Sequence, residues 1–153
     1  MKRLVILNGR LVLSDGTIAD GKAVVCSSGK IEKIIDGQDY VPEAQDEVID
    51  AEGRYVAPGF VDLHVHGGGG HDFMDGTVEA FLGAARSHVK HGTTAMVPTT
   101  LTCPDDELFR SFEVFREAKK QNTDGAQLIG LHLEGPYFNP DMAGAQDPLY
   151  LKN

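Results

Sequence analysis

The chain has 153 residues, 41% hydrophobic and 24% charged, with a formal net charge of −9. That balance describes a globular protein rather than a disordered one, and it excludes the clustered Lys and Arg surfaces that bind nucleic acid or an anionic membrane. No run of 18 apolar residues occurs, so no membrane helix is expected. The opening Met1-Lys2-Arg3-Leu4-Val5-Ile6-Leu7-Asn8 has too short an apolar core for a secretory leader and reads as a strand. Cys26 and Cys103, far apart and flanked by strand or turn residues, predict two reduced thiols and a cytoplasmic setting.

Residues 1–57 are rich in strand signals. Leu4–Asn8 and Leu11–Leu13 read as short strands broken at Asn8-Gly9, and Ser14-Asp15-Gly16 as a turn. Ala23–Cys26 and Lys30–Ile35 flank Ser27-Ser28-Gly29 as a hairpin, and Val48–Asp50 and Arg54–Val56 bracket a tight turn at Glu52-Gly53. The expectation for this part is a small antiparallel sheet with one solvated face.

From Pro58 the pattern changes to strand, helix, strand, helix, strand. Phe60–His66 is the first strand. Thr77 starts a helix with Val78, Phe81, Leu82, Ala85 and Val89 at helical spacing and Gly92 beyond its end. Thr93–Thr100 is the second strand. Thr102, with Pro104 and Asp105 behind it, resembles a capping box for a helix whose buried stripe is Leu108, Phe112 and Phe115, with Phe109 beside them. Gln127–Glu134 is the third strand. Alternation at these lengths implies parallel βαβ units. By the period of 2, Phe60, Asp62, His64 and His66 share one face of the first strand, opposite Val61, Leu63 and Val65. Leu128, Gly130, His132 and Glu134 share a face of the third, opposite Ile129, Leu131 and Leu133. One apolar face and one polar face gathered toward the strand C-termini favour a parallel α/β barrel over an open doubly wound sheet.

Two neutral imidazoles on one strand face, His64 and His66, can both reach one divalent cation. Gly67-Gly68-Gly69-Gly70 follows them and leaves room for a metal and a substrate. It lacks the Lys-Ser/Thr and the G-x-G-x-x-G spacing of a phosphate cradle. Glu134 ends the third strand, where a carboxylate needs a partner: a metal, or an arginine across the barrel. His132 and Asp62 lie deeper and read as supports. His88 and His91 suit the C-terminal dipole of the first helix, His71 has no such placement, and Pro104-Asp105-Asp106-Glu107 is dipole compensation at a helix start.

Asp50-Ala-Glu-Gly-Arg-Tyr-Val-Ala-Pro-Gly-Phe-Val-Asp-Leu-His-Val-His-Gly67 resembles the entry strand of the amidohydrolase superfamily. His91-Gly-Thr-Thr94, Pro98-Thr-Thr100, Leu131-His-Leu-Glu-Gly-Pro-Tyr-Phe138 and Gly144-Ala145 resemble one of its branches, the N-acetylglucosamine-6-phosphate deacetylases. The resemblance implies a β-sandwich built from both chain ends and a metal-bearing (β/α)8 barrel, with 1–57 as part of the sandwich and 58–153 as the first three β/α units of an incomplete barrel. It implies hydrolysis of a sugar-phosphate N-acetyl group in amino-sugar catabolism, by a homodimer holding one or two ions of Zn²⁺, Fe²⁺, Mn²⁺ or Co²⁺. Glu134 would bind metal, with His64 and His66 adding to the ligand set. Ala145 and Gln146 would contact substrate, Gln146 standing where many members carry a histidine. The family's two later metal histidines, its aspartate base and its phosphate-binding arginine have no counterpart in residues 1–153, so no catalytic base is assigned. A barrel takes roughly 250 residues, and three strands leave an open edge. Residues 1–153 alone are therefore expected to be inactive and poorly soluble as a monomer, and a soluble, deacetylating monomer would overturn that. The alternatives are an N-acyl amino acid or cyclic-amide hydrolase, or a non-catalytic truncated product.

Overall fold

A computed structural model describes residues 3–152, which fall into two compact units, one ending at Pro58 and the other beginning at Gly59. In the first unit β1 (Arg3–Val12), β2 (Ile18–Ser27), β3 (Lys30–Asp36), β4 (Asp46–Asp50) and β5 (Tyr55–Val56) form a five-stranded sheet. The β2–β3 hairpin turns through Ser28 and Gly29, both at positive φ (52° and 74°), as a two-residue turn matched to strand twist requires.

The sheet is mixed, which corrects the expected antiparallel sheet. β1 pairs antiparallel with β2, but parallel with both β4 and β5. Asn8, at φ 54°, adopts the left-handed conformation that Asn tolerates better than most residues. It kinks β1 instead of ending it, and the register with β2 slips on either side of Gly9. The Glu52-Gly53 loop sits opposite this kink, where Gly53 N donates to Asn8 O (2.7 Å) and Ala51 N to Leu7 O (2.9 Å). The loop therefore hands β4 on to β5 along the same edge of β1 instead of folding one back on the other. The described residues of this unit supply one sheet layer.

β4 is closed onto β1 by charge. Arg3 Nε and Nη2 each donate at 2.8 Å to the two oxygens of Asp46, which also accept from Tyr40 Oη (2.8 Å) and Glu43 N (2.9 Å). The Asp46 side chain is 1% exposed. Hydrogen bonding from Arg3, opposed by burial and aided by Glu43 N and Tyr40, holds its carboxyl well below the usual carboxylate range. A depressed folded-state pKa contributes stability that is present above the unfolded pKa of about 4 and is lost as pH falls toward the folded value. Asp46→Asn is thus expected to lower stability at pH 7 and to flatten its dependence on pH below about 4. Urea midpoints from pH 2 to 7 check this, and a variant with the parent's pH dependence would refute it.

In the second unit β6 (Phe60–Val65), β9 (Thr93–Pro98) and β10 (Gln127–Leu128) form a parallel sheet in the order β6-β9-β10. The crossovers are α1 (Val78–Val89) and α2 (Asp105–Gln121), and β7 (Gly67–Gly68) and β8 (His71–Asp72) make a small hairpin after β6. Thr77 caps α1, its hydroxyl accepting from Ala80 N at 3.2 Å. Pro104 is the N-cap of α2, without a side-chain cap, so Thr102 does not serve as the expected capping residue. Acidic residues 105–107 in the first turn and Lys119 and Lys120 in the last complement the helix dipole instead. The core joins Phe81, Leu82, Ala84 and Ala85 of α1 to Met96, Ala118, Ala126, Leu128 and Phe73, with Val114 and Phe115 against it; Phe109 is exposed.

The strand faces depart from strict alternation. Leu128 pairs with Met96, yet His132 bridges Thr99, so the register slips by one residue around Gly130. Leu128 and Leu131 both lie against the core, while Ile129 and Leu133 are exposed. In β6 a similar slip falls between Asp62 and Val65: Val65 reaches the core, whereas Val61 and Leu63 are more than half exposed. Phe81, fully buried with its ring centroid 4.8 Å from that of Phe73, holds the helix layer to this sheet. Phe81→Ala is expected to cost about 3–5 kcal/mol. Denaturant unfolding measures this, and a loss under 1 kcal/mol would place the core elsewhere.

Candidate metal centre

His64 and His66 lie at the end of β6, and Glu134 lies six residues past β10. The parallel order of the strands brings them together. Nε2 of His64 and Nε2 of His66 are each 3.0 Å from Glu134 Oε2 and 3.3 Å from one another. Three ligand atoms from three side chains thus converge on one point. Ligands ~2.1 Å from a tetrahedral ion lie roughly 3.4 Å apart, so these separations match a small divalent cation. The His64 and Glu134 side chains are 50% and 24% exposed, which leaves the point open on one side. Among the described residues the ion-pair partners of Glu134 are these two histidines, and no arginine reaches it.

The surrounding groups fix the backbone more than the rings. Asp62 Oδ1 accepts from His64 N (3.1 Å), supporting the strand where its register slips. His132 sits edge-on to His64, ring centroids 4.5 Å apart, with Nδ1 3.2 Å from Leu63 O, and so lies beside the cluster and outside it. His66 Nδ1 is buried with no hydrogen-bond partner, so this ring lacks the acceptor that commonly orients a metal-bound imidazole. Its orientation comes from the strand and from Glu134.

Gln146 is 7% exposed and touches the cluster directly, its Nε2 donating to Glu134 Oε1 at 3.0 Å. Its own oxygen accepts from Thr102 N (2.8 Å) and Thr102 Oγ1 (2.9 Å). Ala145 beside it is exposed and offers only backbone and a methyl group. Thr102 was missed as a site residue because its position before Pro104-Asp105 reads equally well as a helix cap. Thr99 was missed too. Its fully buried hydroxyl accepts from Val65 N (3.0 Å) and lies 3.3 Å from Val97 O, to which it donates. The sequence signal for Thr99 was Pro98, since a proline in a strand marks a place where regular ladder bonding is interrupted.

The glycine run has a packing task in this fold. It lets the β7–β8 hairpin lie directly on α1: a Cβ on Gly68 would meet His88 Nε2 at 2.7 Å, and one on Gly69 would meet Ser87 Cβ at 2.8 Å. His88 Nε2 is hydrogen-bonded to Gly67 O (2.9 Å), which gives that histidine a structural task. Both cysteines are free thiols, and burial together with Glu107, Asp105 and Asp106 pushes the Cys103 thiol up, away from a reactive thiolate.

Residues 55–152 match the description of the amidohydrolase family. The chain belongs to that family. Among curated proteins it is similar to the N-acetylglucosamine-6-phosphate deacetylase of Haemophilus influenzae, 33% identical over 135 residues, or 85% of this chain and 33% of that one. It is also similar to the N-acetylgalactosamine-6-phosphate deacetylase of Escherichia coli O157:H7, 33% identical over 66% of this chain and 27% of the relative. Among solved structures it superposes on N-acetylglucosamine-6-phosphate deacetylase from Pasteurella multocida with a TM-score of 0.87 and 32% identity, over 98% of this chain and 38% of that one. The chain thus spans about a quarter to two fifths of the length of these relatives.

Proposed function

We propose that this chain is the metal-binding part of a protein that hydrolyses the N-acetyl group of an N-acetylhexosamine 6-phosphate, foremost N-acetylglucosamine 6-phosphate, releasing glucosamine 6-phosphate and acetate. The observation that carries this is the convergence of His64 Nε2, His66 Nε2 and Glu134 Oε2 on one point, in a chain whose relatives bear that name. On this reading residues 59–152 open a (β/α)8 barrel, with the site at the C-terminal ends of its first and third strands, where barrel active sites lie. Free thiols at Cys26 and Cys103 support a reducing, cytoplasmic setting.

His64, His66 and Glu134 would hold the ion, and this N/O set suits Zn²⁺, Fe²⁺, Mn²⁺ or Co²⁺. A bound divalent ion polarises an amide carbonyl and lowers the pKa of a coordinated water toward about 7. The chain's own part is to present two neutral imidazole lone pairs and one carboxylate oxygen from rigid strand ends. The open side left by half-exposed His64 gives the substrate its approach. No residue between 1 and 153 is assigned the proton transfer.

Acetate release by the complete protein that carries these residues, stripped with a chelator and reloaded with each ion in turn, tests this. N-acetylglucosamine 6-phosphate is expected to turn over faster than N-acetylgalactosamine 6-phosphate and far faster than an N-acyl amino acid, and chelation to abolish turnover. Preference for the N-acyl amino acid would instead mark another amidohydrolase. Glu134→Ala is expected to drop bound metal well below one equivalent and to slow deacetylation by more than the roughly 10–100-fold typical of an outer-shell loss. Full metal content and rate in that variant would rule Glu134 out as a ligand.

A further inference from the structure

The two oxygens of Glu134 have different neighbours. Oε2 faces both imidazoles at 3.0 Å, while Oε1 accepts from Gln146 Nε2 at 3.0 Å. The Gln146 amide cannot be turned round. Its Oε1 faces Thr102 N–H, which can only donate, and shares the Thr102 hydroxyl, so the NH₂ end must face Glu134. The chain Thr102–Gln146–Glu134 is therefore directional and largely dry, with Thr102 9% and Gln146 7% exposed. A surface glutamine would exchange its partners with water, but this one is held at both ends.

We propose that Gln146, locked by Thr102, is a positioning residue that ties down Glu134 Oε1 so that Oε2 alone addresses the metal. The inference rests on the metal reading above and goes beyond it. One-oxygen ligation keeps the ligand count low and favours a small N/O-bound ion over a calcium-like ion, which takes carboxylates through both oxygens. It also gives Gln146 a task other than direct contact with the sugar.

The test uses the full chain, stripped of metal and titrated with Co²⁺ and Zn²⁺, with affinity read by calorimetry and coordination by the visible Co²⁺ spectrum. Gln146→Leu is expected to weaken binding at least about tenfold, as loss of an outer-shell partner commonly does. The freed Glu134 is expected to weaken the Co²⁺ absorption as the coordination number rises. Thr102→Val should weaken binding less, and Thr102→Ser, which keeps the hydroxyl, should bind within about twofold of the parent. A merely structural role would lower the melting temperature of the stripped chain and leave both affinity and spectrum unchanged. That result in Gln146→Leu overturns the inference while leaving the metal reading intact. If Gln146→Leu does not fold, equal affinities of the Thr102→Val and Thr102→Ser variants overturn it. A parent chain that binds neither ion overturns the metal reading itself, and this inference with it.

Discussion

One buried hydroxyl sets the geometry on which the candidate site depends. Thr99 Oγ1 accepts from Val65 N–H at 3.0 Å and donates to the Val97 carbonyl at 3.3 Å, so it joins β6 to β9 where Val65 pairs with Pro98. The carbonyl of the same residue is held as well, with Thr99 N donating to Val65 O at 2.8 Å. These bonds hold Val65 just past the register slip, with its side chain against the core and His64 and His66 facing Glu134. On its other side Thr99 bridges His132, whose N–H donates to Pro98 O and whose carbonyl accepts from Thr100 N, both at 2.9 Å. Glu134 follows two residues on. The ends of two strands that never pair with one another are thus indexed to a single threonine between them.

Periodicity made part of this legible. Two histidines separated by one residue point the same way on any extended strand, and nothing non-local disturbs that over so short a span. The βαβ order, the Thr77 cap and the core residues of α1 are likewise local patterns, written within a few turns of helix or a few residues of strand. Alternation fails where a bulge intervenes. Leu128 and His132 have the same parity in sequence but opposite surroundings in the fold, because the slip at Gly130 depends on where β9 offers its next donors. A bulge of this kind is a property of a pair of strands, and one strand's sequence carries only half of it.

The mixed sheet of the first unit shows the same limit at longer range. Asn8-Gly9 and Glu52-Gly53 each look like a break when read alone. In the fold they are one feature, joined by the bond from Gly53 N to Asn8 O. The kink in β1 accommodates the loop that carries β4 on to β5, so two apparent turns yield one continuous strand and a two-part parallel partner. Gly9 has no side chain because Val56 occupies that space: a Cβ there would lie 2.5 Å from Val56 Cγ2.

The choice of glutamine at position 146 follows the same logic of committed donors and acceptors. The family resemblance leads one to expect a histidine there. An imidazole presents one donor and one acceptor when neutral, and two donors when charged. Facing Thr102 N–H and the Glu134 carboxylate, it would have to stay neutral with its acceptor toward the backbone, or else set a donor against the Thr102 N–H. The glutamine amide meets both demands without changing charge: its carbonyl has two lone pairs for the two Thr102 donors, and its NH₂ supplies the hydrogen that Glu134 Oε1 accepts. Because that amide does not titrate, its hold on Glu134 persists through the range in which histidine changes charge. Charge at the cluster is then set by two imidazoles and one carboxylate, and the group behind them stays neutral.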